Sequence, residues 1–211
     1  MIKYHKIETP FKRDENGTKK LIENEWRDDT LKFLKNVDFE FTEKIDGCCT
    51  SIEWNGHNVE FHGRTENAQI PVPLVNYLTK AFGGDINEEL FEQKFGETKV
   101  VLFGEGYGPK IQGGGAYRSD VSFILFDVYL PESDIWLKRE AVEDIATTFG
   151  IDVVPIILTG TIWDAIRFVK TNPNSTFGTA KMEGVVGRPA VELRDRLGRR
   201  VITKIKVKDF C

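Results

Sequence analysis

An α+β fold of largely antiparallel sheets flanked by helices is the expected architecture, and three features of the 211-residue chain predict it. Strand-like stretches come in blocks, not in regular βαβ alternation. An Asn55-Gly56 pair lies between two such stretches, which is a strong hairpin signal. Segments with helical spacing, bounded by proline and glycine, are inserted between the blocks.

Residues 4–27 are mixed and polar, with Pro10 and Gly17 breaking them, and read as an irregular opening segment. Leu31, Phe33 and Leu34 suggest a short helix. Residues 39–43 alternate apolar with polar, the period of a half-buried strand. Residues 49–54 and 59–63 form the two arms of the hairpin. A helix is predicted over 71–82, started by Pro71 and Pro73 and stopped by Gly83-Gly84, with a weaker one over 87–95. Residues 99–105 are a strand running into a glycine-rich stretch, 104–115, and residues 121–130 are an apolar, aromatic strand ended by Pro131. Helical spacing returns over 138–149 and stops at Gly150. Thr161 with Asp164 resembles a capping box opening a helix to about residue 171. Residues 183–188 and 201–207 are the last strands, with Leu197-Gly198 turning between them. With no repeat and no Pro/Ser-rich linker, residues 1–211 are expected to form a single domain.

Composition narrows the function classes. A hydrophobic content of 40% with 29% charged residues excludes a disordered or low-complexity chain. A chain of this length buries roughly 70% of its unfolded surface, enough to dispense with a disulfide or structural metal. No apolar run approaches the ~20 residues of a membrane span, and the start lacks the apolar stretch of a secretion signal. Cys48, Cys49 and Cys211 form no CxxC spacing. The expectation from composition is a reduced, cytoplasmic, globular protein with no membrane partner; a monomer is the working expectation, although no sequence feature reports on oligomeric state.

The net charge of −4 is unevenly spread. From 188 to 211, eight basic residues (Arg188, Arg194, Arg196, Arg199, Arg200, Lys204, Lys206, Lys208) face three acidic ones, a local +5 that leaves −9 on residues 1–187. Phosphate binding follows local rather than summed charge. Taken alone, the cluster reads as a solvated, charge-rich hairpin.

Several chemistries are absent by spacing. The histidines His5, His57 and His62 make no HExxH, no serine sits in GxSxG, and residues 104–110 fit neither a Walker A loop nor a dinucleotide fingerprint. Cys48-Cys49 reads as a pair of small apolar strand residues. What remains is a series of charged residues at strands and strand ends. Glu43-Lys44-Ile45-Asp46-Gly47 comes first, followed by Arg64, Glu105, Phe126-Asp127, Glu183-Gly184-Val185-Val186 and Lys204-Ile205-Lys206. Lys204 and Lys206, two apart on a strand, face the same side. An inward pair of lysines is costly in a plain core but makes sense on a face that binds something strongly anionic. Carboxylates on neighbouring strands then have a purpose, because Mg²⁺ takes oxygen ligands and bridges to phosphates.

This ordered series resembles the covalent nucleotidyltransferase superfamily of polynucleotide ligases and capping enzymes, whose signature order is K-x-D-G, arginine, a glutamate strand, an aromatic-Asp strand, E-G-x-x and K-x-K. The matches run from Glu43 to Phe210. Phe103-Gly104-Glu105, Phe123-x-x-Phe126-Asp127 and Lys204-x-Lys206-x-x-x-Phe210 resemble the RNA ligase 2-like branch. Asp46 stands where that branch carries histidine, whereas K-x-D-G is shared with DNA ligases and other RNA ligases, so the choice between RNA and DNA stays open.

The resemblance implies a nucleotidyltransferase (ligase adenylation) fold and an ATP- and Mg²⁺- (or Mn²⁺-) dependent RNA ligase, sealing 5′-phosphate to 3′-hydroxyl ends, RNA preferred over DNA. It implies Lys44 as the nucleophile that takes AMP, with the proton lost near neutral pH from an amine whose reference pKa is ~10.4. Lys204 and Lys206 would assist catalysis and bind the phosphates. Glu43 and Ile45 flank the nucleophile in the nucleotide site, Glu43 selecting the adenine amino edge. Phe126 would stack on the base, Glu105 would hold the ribose, and Arg64 would contact ribose or phosphate. Glu183, Asp46 and Asp127 are the implied metal ligands, Glu183 also contacting the nucleotide. With only Cys211 after Phe210, no appended OB-fold is expected. The alternatives are a DNA ligase catalytic domain, a capping-type guanylyltransferase, or a non-catalytic nucleic-acid-binding domain of the same fold.

Overall fold

The computed structural model describes residues 1–65 and 67–210; Cys211 lies outside them. In chain order the elements are β1 (Phe11–Arg13), β2 (Leu21–Trp26), α1 (Asp29–Phe33), β3 (Phe39–Lys44), β4 (Cys48–Trp54), β5 (Val59–Gly63), α2 (Val72–Phe82) and α3 (Asp85–Phe95). There follow β6 (Val100–Tyr107), β7 (Ser122–Leu130), β8 (Ile135–Trp136), α4 (Arg139–Thr148), β9 (Asp152–Val153), β10 (Ile156–Gly160), α5 (Ile162–Lys170), β11 (Gly184–Pro189) and β12 (Thr203–Lys206). The fold is α+β, and among the described residues every pair of named strands is antiparallel except β7 with β9.

The chain divides into two compact units. One comprises residues 1–5 and 46–154, the other 6–45 and 155–211. It passes from one to the other at 5/6, 45/46 and 154/155, so neither unit is a continuous stretch and no linker composition marks the boundary. That is why the sequence reads as a single domain.

The first unit is built on a sheet ordered β5-β4-β6-β7-β8, with β9 alongside β7. The β4–β5 hairpin turns at Asn55-Gly56, where Gly56 has φ +97°. Leu74, Leu78 and Phe82 of α2, Phe91 of α3, and Val142, Ile145 and Ala146 of α4 cover Ile52, Leu102, Phe123, Leu125 and Val128 of the sheet. Leu125 and Val128 are three apart, so strict alternation would place them on opposite faces. A β-bulge resolves this: Phe103 pairs with Asp127 but Gly104 pairs with Leu125, leaving Phe126 as the extra residue.

The second unit holds a sheet ordered β10-β3-β11-β12 and the small β1–β2 hairpin. Phe39 and Phe41 of β3, Val185 of β11 and Ile205 of β12 point to one face, where Ile162, Ala165, Ile166 and Val169 of α5 pack against them. At the start of α5, the Thr161 side chain accepts from Asp164 N–H and the Asp164 carboxylate accepts from Thr161 N–H, a full capping box. Within residues 4–27, expected to be irregular, Phe11–Arg13 and Leu21–Trp26 form β1 and β2; Phe11 and Leu21 anchor them in this core while most of β2 is exposed. Among the described residues, no helix is long and apolar enough to cross a membrane.

Candidate active site

In the second unit, three strands converge at one register line. Gly184 of β11 pairs with Lys44 of β3 on one side and Lys206 of β12 on the other. Residues directly across a sheet share a face, and alternate residues along each strand share it too. Lys44, Lys204 and Lys206 therefore all lie on the face opposite the Phe39/Phe41/Val185/Ile205 core, and each is partly exposed. The expectation that Lys204 and Lys206 face one way is met.

Glu183, the residue before β11, brings the lysines together. Lys44 Nζ donates to Glu183 Oε2 at 2.6 Å, and Lys206 Nζ donates to Glu183 Oε1. Only 23%, 18% and 16% of the Lys44, Lys206 and Glu183 side chains is accessible, so the triad is sheltered but reachable. Burial pushes the Glu183 carboxyl up, but the charges of Lys44 and Lys206 and their hydrogen bonds outweigh it, and the group settles below the usual range. Gly184 is required here: a Cβ on it would lie 2.2 Å from the Ile205 carbonyl oxygen. Lys204 shares this face; its backbone N–H donates to the Glu8 carbonyl, and its charge adds a smaller pull on the Glu8 carboxyl, which Lys6 and Arg27 hold low more strongly.

Glu43 faces the core side of β3 and is 1% exposed. Its carboxylate accepts from Ser175 Oγ, Thr176 Oγ1 and, at 3.0 Å, Thr176 N–H. It is thus committed to the 175–176 turn ahead of β11, on the face away from Lys44. Ile45 is buried beside it at the end of this unit. Ser175 and Thr176 escaped the sequence reading; a Ser-Thr pair after Asn-Pro-Asn signals a turn but not its acidic partner.

The remaining candidates lie in the first unit. Gly47 has its Cα packed on β6, where a Cβ would meet the Gly106 carbonyl oxygen at 2.3 Å and Glu105 Cγ at 2.9 Å. The D-G step therefore fixes the backbone beside Glu105, which is partly exposed. The Asp46 backbone N–H donates to Tyr117 Oη at 3.3 Å, and its carboxylate lies over Gly113. Phe126, extruded by the bulge, is half-buried and meets Tyr4 edge to face at 5.0 Å. Asp127 is 1% exposed and accepts from Tyr4 Oη at 2.9 Å, a framework contact. Arg64 lies just past β5 with an exposed side chain.

Among the described residues, no three His, Cys, Asp or Glu side chains converge into a ready-made metal cage. Mg²⁺ does not require one, since it keeps waters and uses one or two carboxylates with substrate phosphates. Glu183, a sheltered carboxylate between two cations, fits that pattern.

The family model described as RNA ligase matches residues 37–206. The chain belongs to the RNA ligase family. Every residue from Glu43 to Lys206 discussed above lies within the matched span of this RNA ligase family member. Solved structures agree on the fold. A Naegleria gruberi RNA ligase variant with ATP and Mn aligns with TM-score 0.61 at 18% identity, covering 84% of this chain and 51% of its own. An apo variant of the same protein gives 0.64 at 18% identity, covering 86% and 52%. The form with PPi gives 0.63 at 19%, covering 84% and 51%. The RNA ligase family chain thus spans about half the length of these structures. No curated protein sequence matches it significantly.

Proposed function

We propose that the chain carries the adenylyltransferase activity of an ATP-dependent RNA ligase, joining 5′-phosphate to 3′-hydroxyl ends through a lysyl-AMP intermediate. The observation that carries this reading is the Lys44–Glu183–Lys206 triad, a nucleophile-type lysine on a sheltered carboxylate with a second cation beside it. Family membership over residues 37–206 supports it, as do Naegleria gruberi structures of the same fold with ATP and Mn, with AMP and Mn, and with PPi.

In the first step, the neutral Lys44 amine attacks the α-phosphorus of ATP. The bond to the β-phosphate oxygen breaks, pyrophosphate leaves, and the amine nitrogen, having lost its protons to solvent or Glu183, holds AMP as a phosphoramidate. Glu183 is within reach of Lys44 Nζ to receive a proton. Lys206, on the other Glu183 oxygen, can turn to the α-phosphate as negative charge builds there. In the second step, an RNA 5′-phosphate oxygen attacks that phosphorus, the P–N bond breaks and Lys44 regains its proton. In the third, the 3′-hydroxyl oxygen attacks the RNA 5′-phosphate phosphorus and gives its proton to solvent, while the bond from that phosphorus to the AMP oxygen breaks and AMP leaves. A divalent cation held by Glu183 with the substrate phosphates would supply charge neutralisation. Phe126, half-buried and braced by Tyr4, suits stacking on a base, and the partly exposed Glu105 suits a ribose hydroxyl.

A role in RNA repair, action as a monomer, and a cytoplasmic location, where Cys48 and Cys49 stay reduced, complete the reading. Radiolabelled ATP with Mg²⁺ tests it. Wild type should acquire a covalent label that Lys44→Ala cannot, and adenylylated protein should seal an RNA nick. An unlabelled wild type would contradict the adenylyltransferase reading, and sealing of the all-DNA nick alone would contradict the RNA assignment.

A further inference from the structure

The charge-rich stretch between β11 and β12 plays no part in the chemistry above, yet its construction goes beyond a solvated loop. Residues 190–200 form a hairpin of their own. Val201 N–H donates to the Leu193 carbonyl, Asp195 N–H to Arg199, and Gly198, at φ +76°, turns the tip with its N–H on Asp195. Both acidic residues are consumed in stiffening it. Asp195 accepts from Leu197 N–H at 2.8 Å, Arg199 N–H at 2.9 Å and Arg199 Nε at 2.8 Å. Glu192 takes Arg200 in a two-pronged pair, Nε at 2.6 Å and Nη2 at 2.9 Å, with the Arg200 side chain only 5% exposed.

What the hairpin then presents is basic and apolar. Arg196 is exposed and has no ion-pair partner among the described residues. Val191 and Leu197 are 70% and 69% exposed, with Leu193 beside them at 37%. Three large aliphatic side chains within seven residues of this hairpin are thus left in water.

The position in the sheet says what would cover them. The hairpin emerges from the end of β11 opposite Glu183, and β11 is six residues long, so its base stands roughly 17 Å from the triad at ~3.3 Å per residue. Arg188 shares the face of Lys44, Lys204 and Lys206, since it pairs with Glu40 in the alternation Glu40, Thr42, Lys44. Arg188 therefore adds a further basic residue to that face near the base of the hairpin, beside Glu40 of β3. A partner offering anionic groups at intervals together with apolar ring faces matches that combination, and a nucleic-acid strand offers both.

We propose that the 190–200 hairpin is an RNA-docking element that grips the strand on the order of five nucleotide steps from the joined end, taking about 3.4 Å per phosphate along a duplex strand. Arg196 contacts a phosphate and Leu197 with Val191 packs on ribose or base. The inference rests on the RNA-joining reading for its ligand but concerns residues that reading does not use.

The test compares full-length wild type with Arg196→Ala/Leu197→Ser, which leaves Asp195 and Gly198 and hence the turn intact. Arg196→Lys serves as the conservative control. Label transfer from ATP to Lys44 should be unchanged. Affinity for a fluorescent nicked RNA duplex should fall about tenfold in the double variant and recover in Arg196→Lys, with the slope of log K against log salt shallower by about one. A duplex cut back to fewer than about four nucleotides on that side should bind wild type and variant equally. Unchanged affinity and salt slope would overturn the proposal, as would loss in the variant of a wild-type self-association measured by light scattering. A wild type that takes no label yet shows the same binding difference would sink the adenylyltransferase reading and leave the docking element standing.

Discussion

Lys44 and Lys206 are held on the two oxygens of one carboxylate: Lys44 Nζ lies 2.6 Å from Glu183 Oε2, and Lys206 donates to Oε1. The register makes this possible, because Gly184 pairs with both lysines at once. Glu183→Gln keeps the shape but removes the charge, leaving two sheltered ammonium groups side by side. The expected result is a drop of about 10²-fold in the rate of adenylate formation, measured by label transfer from ATP.

The same carboxylate makes stability depend on pH. Its folded pKa lies below its ordinary 4.5, so the unfolded state binds the proton more readily. The stabilisation is present above 4.5 and is lost as pH falls through the lower folded value. Thermal unfolding followed downward from pH 5 should show wild type losing stability more steeply than Glu183→Gln. Parallel curves would show that the pairing contributes nothing.

Glu43 ties β3 to the 175–176 turn through three donors while almost completely buried. Glu43→Ala would strand those donors and should cost about 2–4 kcal/mol in urea unfolding. Ser175→Ala, which removes one hydroxyl, should cost about 1 kcal/mol. Equal and negligible effects would contradict the framework role given to Glu43.

Gly47 and the Gly106 carbonyl leave no room for a side chain, since a Cβ would lie 2.3 Å from that oxygen. Gly47→Ala should lower stability by about 2 kcal/mol or more through forced backbone displacement, and should disturb Glu105, whose Cγ is the next neighbour. Calorimetry of the variant checks this directly.

Much of this was readable from residue order because the deciding signals are local. Asn55-Gly56 dictates its hairpin, Thr161 with Asp164 caps α5, and period-two spacing puts Lys204 and Lys206 on one face. The β1–β2 hairpin was not readable, because four of the six residues in β2 are exposed and neither strand shows a clean alternation. Strand β9 is hidden by its two-residue length, and Pro155 interrupts the stretch between it and β10. The bulge at Phe126 breaks the very period on which strand reading depends, yet it is what frees that ring from the core. The grip of Ser175 and Thr176 on Glu43 spans more than 130 residues, and no local pattern announces it.

Lys44 is the proposed covalent acceptor of AMP. Incubation with ATP and Mg²⁺, followed by proteolysis and mass spectrometry, should find a single peptide heavier by one AMP, with the modification on Lys44 and absent from Lys44→Ala. A protein that gains no AMP, or gains it on another residue while Lys44→Ala is modified as fully as wild type, would contradict that role.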